Sequence, residues 1–189
     1  MVQRQEFSPP PVNQPEILRY ALCRHPDDAT YELLQRCLDT ALPVLTYRVC
    51  WTEMPVNVRG NLCDFGDFQL TSRRLAQHLN GCKKAVIFAA TIGLELDRLI
   101  AKYGRLSPAM GLMLQAMGTE RIEALCDRFC AQFPNSRPRF SPGYGDLKLS
   151  AQTQIFEHLD CPRQIGLTLN DSLIMSPTKS VTAILGLAE

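Results

Sequence analysis

The chain has 189 residues, 46% of them hydrophobic, a composition that supports a buried core in one domain or two small lobes. Its 20 basic and 19 acidic side chains leave a formal charge of +1, which excludes broad attraction to a phosphate backbone, so no nucleic-acid partner is expected. Eight scattered cysteines without a Cys-x-x-Cys pair, an N-terminus without a secretory apolar core, and apolar runs far below the ~20 residues of a membrane span point to a cytoplasmic protein with reduced thiols.

Residues 1–15 are polar and rich in proline and read as an extended N-terminal arm with little intrinsic order, ahead of a single domain over 16–189. Thr30 is expected to cap a helix that buries Leu34, Cys37, Leu38 and Ala41 and ends at Pro43. Leu45, Tyr47, Val49 and Trp51 alternate as in a half-buried strand. Val56 and Val58 make a second alternating patch before a Gly60-Asn61 turn. Ser72 opens a helix carrying Leu75 and Leu79, with Arg73-Arg74 and Lys83-Lys84 read as solvated helix ends. Ala85 to Ala90 is continuously apolar and reads as a strand covered on both sides.

Leu96, Leu99 and Ile100 suit one helical face, and Ser107-Pro108 starts a long central helix reaching to about residue 133. Its inward stripe is Met113, Leu114, Met117, Ile122, Leu125 and Phe129, with Glu120, Arg121 and Asp127 facing elsewhere. Gly111 and Gly118 share roughly one face and would admit a close neighbour. Ser150 is expected to cap a helix with Ile155, Phe156 and Leu159, closed by Pro162. Alternation at Ile165, Leu167 and Leu169, again from Leu173 to Met175, and again at Val181, Ala183 and Leu185 suggests a C-terminal β-meander. The fold class is therefore α+β: an antiparallel sheet and meander packed against several helices, one of them long and central.

The segment Arg139-Phe-Ser-Pro-Gly-Tyr-Gly-Asp146 carries the most chemistry. A guanidinium presents a planar fork matched to a carboxylate. Pro142 stiffens the approach, and Gly143 and Gly145 allow positive φ around Tyr144. The competing reading makes Arg139 a surface ion-pair member and the glycines ordinary turn residues. Glu120 and Glu123 on the long helix are the carboxylates best placed to fold back beside Arg139, where opposite charges would read the two ends of a zwitterion, though either also suits a solvated helix face. Other chemistry is poorly supported. There is no G-x-S-x-G elbow around His25, His78 or His158, no phosphate-binding lysine loop, and no metal-ligand spacing beyond Cys126 and Cys130, which supply two ligands at most.

Arg139-x-x-x-Gly143-Tyr144, a following helix, the run Ile165 to Pro177 and then Ser180-Val181 together resemble the activation domain of cobalamin-dependent methionine synthase. The resemblance covers about residues 105–187. His78-Leu-Asn-Gly-Cys82 and Ala89-Ala-Thr-Ile-Gly93 are similar to the small stand-alone members. It implies a domain that binds S-adenosylmethionine and offers its methyl group to cobalamin held by a partner, with electrons from a flavodoxin-like donor. By that resemblance Arg139 holds the ligand carboxylate, Pro142, Gly143 and Gly145 shape the groove, and Tyr144 sits where donor meets corrin. A helix glutamate lies near the ligand, with Glu123 favoured and the register open among Glu120, Glu123 and the position of Ala124. Long members continue past the position of Glu189 and supply a further tyrosine, so a weaker ligand site, or one completed by another chain, is expected. Asp64 and Asp67 are candidates for an upstream acidic contact. The expected function is a reactivation subunit for a methionine synthase, inactive alone. The alternatives are an accessory module for another corrinoid methyltransferase and a non-catalytic interaction protein.

Overall fold

The computed structural model describes residues 1–188, and its centre is the apolar run from Ala85 to Ala90, buried on both faces. In chain order the elements are β1 (Gln3–Phe7), α1 (Gln14–Tyr20), α2 (Asp28–Ala41), β2 (Tyr47–Pro55), β3 (Asn57–Arg59), β4 (Leu62–Asp64), β5 (Gln69–Thr71), α3 (Arg73–Leu79) and β6 (Lys84–Thr91). They continue with α4 (Glu95–Leu106), α5 (Pro108–Cys130), α6 (Ala151–Leu159), α7 (Cys161–Ile165), β7 (Thr168–Leu169), β8 (Met175–Ser176) and β9 (Ser180–Leu187). One antiparallel sheet runs β1-β2-β6-β9, a small sheet β3-β4-β5 stands apart, and β7 pairs only with β8. The architecture is the α+β class read from the sequence.

Period-two alternation gives the main sheet two cores. Tyr47, Val49, Val86, Phe88, Ala183 and Leu185 face the side of α1, α2, α4 and α5, while Cys50, Met54, Ile87, Ala89 and Ile184 face α3, α6 and α7. Phe129 of α5 ties the first layer together, with ring contacts to Phe7, Trp51, Phe88 and Phe133 at centroid distances of 6.4, 5.3, 4.8 and 5.4 Å.

Several expectations are corrected. The N-terminal arm is ordered: residues 3–7 pair with β2 as a sheet edge, because Phe7 finds a core pocket and backbone pairing substitutes for apolar content. The C-terminal meander divides. β9 is apolar on both faces and enters the main sheet beside β6, leaving the two-residue strands β7 and β8 as a local hairpin. Ile165 belongs to α7, not to a strand, because Pro162 occupies a first-turn position and starts a helix instead of only closing α6. The cap of α2 is Asp27, whose carboxylate accepts from the Thr30 N–H at 2.9 Å and hydroxyl at 2.6 Å. Ser107 and Ser150 precede their helices without a side-chain capping bond. All eight cysteines are free thiols, and among the described residues no helix is long and apolar enough to cross a membrane.

The two α5 glycines admit close neighbours, as their spacing suggested. Gly111 meets the Gly104 backbone, so that a Cβ would lie 3.0 Å from Gly104 Cα. At Gly118 a Cβ would lie 2.4 Å from Leu96 Cδ2 and 3.0 Å from Lys179 Cγ. Gly118→Ala gains about 1 kcal/mol of helix propensity but overpacks a site where such insertions cost about 1–3 kcal/mol. A net destabilisation is expected. Gly104→Ala, with nothing within 4 Å of the added Cβ, should instead stabilise by about 0.5–1 kcal/mol. Urea midpoints of the two variants, moving in opposite directions, check the pair.

Candidate functional site

Arg139 leaves β9's flank and turns its guanidinium to α5. Its Nη2 donates to Glu123 Oε2 and its Nη1 to Asp127 Oδ1 at 2.9 Å. Glu123 and Asp127 lie one turn apart on the same helical face, so one planar fork meets both carboxylates. Beyond them opens a cleft of about 750 Å³ between α5 and the N-terminal segment, walled by Pro10, Pro11, Asn13, Tyr20, Glu123 and Ala124 among others. Burial, followed by the nearby Glu123 and Glu16 charges, raises the Tyr20 phenol above its usual pKa and keeps it a neutral donor.

The wall on the N-terminal side is held by an ion pair that helical periodicity placed outside the core. Arg121 and Glu120 are both buried, and Arg121 Nε and Nη2 donate to Glu120 Oε2 and Oε1, each at 2.5 Å. Arg121 also donates to the carbonyls of Pro10 and Pro11 at 2.7 Å, and Glu120 Oε1 accepts from the Asn13 N–H at 3.1 Å. A guanidinium only donates, and the backbone carbonyls of the segment 8–13, which straps across α5, are the acceptors it meets. Glu120 is therefore not a solvated helix residue. The helix positions left open by sequence separate by role: Glu120 binds Arg121, Glu123 binds Arg139, and Ala124 lines the cleft.

Past Arg139 the loop turns tightly, with Gly143 N–H donating to Leu147 O at 2.8 Å and Tyr144 N–H to Ser141 O at 3.0 Å. Pro142 is buried and Gly143 exposed at φ 92°. Tyr144 is 57% exposed and meets the Phe140 ring edge-on at 6.0 Å. Gly145 faces away from the cleft, against Arg74 of α3, where a Cβ would lie 2.9 Å from Arg74 Cγ. Arg139 and Glu123 are thus brought into contact, Tyr144 packs on Phe140 of the same loop and Gly145 on α3; of the residues singled out in the sequence for the ligand, Glu123 lines the cleft, whereas Arg139, Pro142, Gly143, Tyr144 and Gly145 do not. Asp64 and Asp67 lie in and beside the small sheet, where Asp64 accepts from Gln69 and Asp67 lies 3.6 Å from His158; neither lines the cleft. Lys179 donates to Thr119 Oγ1 of α5 at 2.9 Å. Sequence reasoning missed Asn13, Glu16 and Tyr20, whose only signal was proximity to the proline run.

Asp146 closes the loop by capping α3. It accepts from Ser72 Oγ at 2.5 Å and from the N–H groups of Arg73 and Arg74 at 2.8 and 3.1 Å. The Ser72 hydroxyl first, then the backbone donors, push its carboxyl down to about 2. A depressed carboxylate contributes stability above its unfolded pKa of ~3.9 and loses it as pH falls through the folded value. Asp146→Asn should therefore lower the unfolding midpoint at neutral pH, with the difference from wild type shrinking between about pH 4 and pH 2; thermal melts across that window check it.

Among solved structures the chain is similar to the MetH reactivation domain bound to AdoHcy, with a TM-score of 0.71 and 18% identity over 99% of this chain and 78% of that one. At that identity the likeness establishes the fold. No family model matches the chain, and no curated protein does.

Proposed function

We propose that this chain is an S-adenosylmethionine-binding reactivation module acting on a cobalamin-dependent methionine synthase held on a separate partner. The observation that carries the reading is the Arg139–Glu123–Asp127 cluster, whose two carboxylates line a cleft of about 750 Å³ with Arg139 behind them, on the fold of a domain solved with AdoHcy. A zwitterionic amino-acid group fits that cluster by exchange: its carboxylate takes the Arg139 fork while its ammonium takes Glu123 or Asp127. Tyr20 and the prolines supply apolar surface for the rest of the ligand. Tyr144, exposed on the Arg139 loop, is the side chain of that loop free to meet a partner domain.

In this reading the methyl acceptor would be cobalamin held by the partner and reduced by an external donor of the flavodoxin kind. This chain's residues bind and orient the donor: Arg139 fixes its amino-acid end, Pro142 and Gly143 shape the loop, and Tyr144 borders the exposed side. The chemistry such a donor would supply is methyl transfer: the acceptor's electron pair would form the new bond to the methyl carbon as the carbon–sulfur bond breaks, with sulfur keeping that bond's pair as a thioether.

Calorimetric titration with S-adenosylmethionine and S-adenosylhomocysteine, on the chain alone and with a cobalamin-binding domain present, tests this. Saturable heat is expected; none in any arm would remove the reading. A second reading has its own observation, since two Arg139 nitrogens already donate to carboxylates of the protein. In an interaction protein of this fold that cluster would be purely structural, and the Arg139 variant discussed below separates the two.

A further inference from the structure

The two edges of the main sheet are finished differently. Beside β9 the segment 135–140 runs along the strand, with Arg137 N–H donating to Gly186 O at 2.8 Å and Phe140 and Ile184 exchanging bonds at 2.9 Å in both directions. That edge is covered from Ile184 onward. At the other end β1 pairs with β2 through all five of its residues, and no described backbone group bonds its outer side. An open edge is a template for another strand.

The side chains on that edge carry a specific pattern. Arg4 and Glu6 are exposed, lie two residues apart on one face of β1, and make no ion pair or side-chain hydrogen bond among the described residues. The nearest opposite charge to Glu6 in register is Arg48 on β2, but Arg48 turns its Nη2 to Thr46 Oγ1 at 3.2 Å. On the other face Gln5 accepts from Gln132, in the turn after α5, at 3.2 Å, and Phe7 enters the core.

We propose that the outer edge of β1 pairs antiparallel with β1 of a second copy of this chain, about a two-fold axis at Gln5, making one continuous eight-stranded sheet. In that register Arg4 faces Glu6 of the second copy and Glu6 faces its Arg4, while Gln5 faces Gln5 and Gln3 faces Phe7. Charges on an edge strand ordinarily oppose pairing. Here the alternation of sign selects one register. Shifting by two residues, which keeps the same faces, sets Arg4 on Arg4 or Glu6 on Glu6, and in-register parallel pairing also sets like on like. The pattern is self-complementary only in the isologous arrangement a two-fold dimer requires. Five residues span ~17 Å, a contact below the ~1,200–2,000 Å² of standard interfaces, so the dimer is a weak, rapidly exchanging one. This inference is independent of the methyl-donor reading, since β1 lies outside the Arg139 cluster.

Analytical ultracentrifugation of the full chain with an unextended N-terminus tests it, with circular dichroism confirming that each variant is folded. Wild type should show a concentration-dependent monomer–dimer equilibrium that weakens with salt. Arg4→Glu and Glu6→Arg should each weaken self-association about tenfold or more, since both cross-strand pairs turn from attraction to repulsion. Mixing the two variants in equal amounts should restore association, because each strand then meets its opposite. A chain that stays monomeric at every accessible concentration would overturn the proposal. So would a dimer whose affinity ignores both substitutions, which would place the contact elsewhere, or a mixture that fails to associate.

Discussion

Arg121→Ala should cost about 3–5 kcal/mol of folding stability, the usual consequence of removing one partner from a buried ion pair. The substitution deletes four hydrogen bonds at once: two to Glu120 and two to the carbonyls of Pro10 and Pro11. It leaves the Glu120 carboxylate buried with the Asn13 N–H as its remaining donor. Against a total of about 5–15 kcal/mol for a domain, that loss is large. The effect should also be local. The strap over residues 8–13 loses its main tether to α5, so native-state proteolysis and hydrogen exchange there should rise before global unfolding does. Replacing the pair together, as Glu120→Gln with Arg121→Met, should recover much of the stability, because no unpaired charge then remains. Denaturant unfolding of the single and double variants checks both statements. Equal stability of Arg121→Ala and wild type would mean the pair contributes nothing net.

Arg139→Ala should weaken binding of S-adenosylhomocysteine about 30-fold or more while changing stability far less. Loss of a charged, hydrogen-bonded carboxylate contact weakens binding by about 2 kcal/mol or more, roughly 30-fold. The intramolecular pairs it breaks are different in kind. Asp127 is exposed and Glu123 partly so, and pairs open to solvent contribute about 0–1 kcal/mol. Removing the arginine also leaves Glu123 and Asp127 facing the cleft without their cation, which further disfavours a ligand carboxylate. Arg139→Lys should restore part of the charge but not the two-pronged geometry, giving intermediate affinity. Calorimetry and thermal unfolding on the same preparations separate the readings. Binding unchanged in Arg139→Ala, in a wild type that does bind, would assign the cluster a structural role only.

Several elements were legible because a local rule sufficed. The run Ala85 to Ala90 has no polar position to expose, so two-sided burial followed from composition. Ser72 caps α3, accepting from the Leu75 N–H at 3.0 Å, as its place before an apolar period implied. The contact between Glu123 and Arg139, 16 residues apart, was within reach once a helix was known to precede a returning loop. Other features depended on partners distant in the chain. β1 contains a single strongly apolar residue, and only pairing with β2 makes it a strand. Arg121 would sit in solvent on an isolated helix; it is buried because the Ser8 to Asn13 strap, more than 100 residues earlier, lies across it. The tail's three alternating segments look alike in sequence, yet only β9 is apolar on both faces and can sit against β6.

The sequence by itself determined the class of fold, the long central helix and the Arg139 to Asp146 loop, because periodicity, caps and glycine placement act over a few residues. Tertiary structure alone decided which carboxylates Arg139 meets, which wall closes the cleft and which sheet edge stays open. Those depend on long-range pairing, where burial and desolvation, not local propensity, set the outcome.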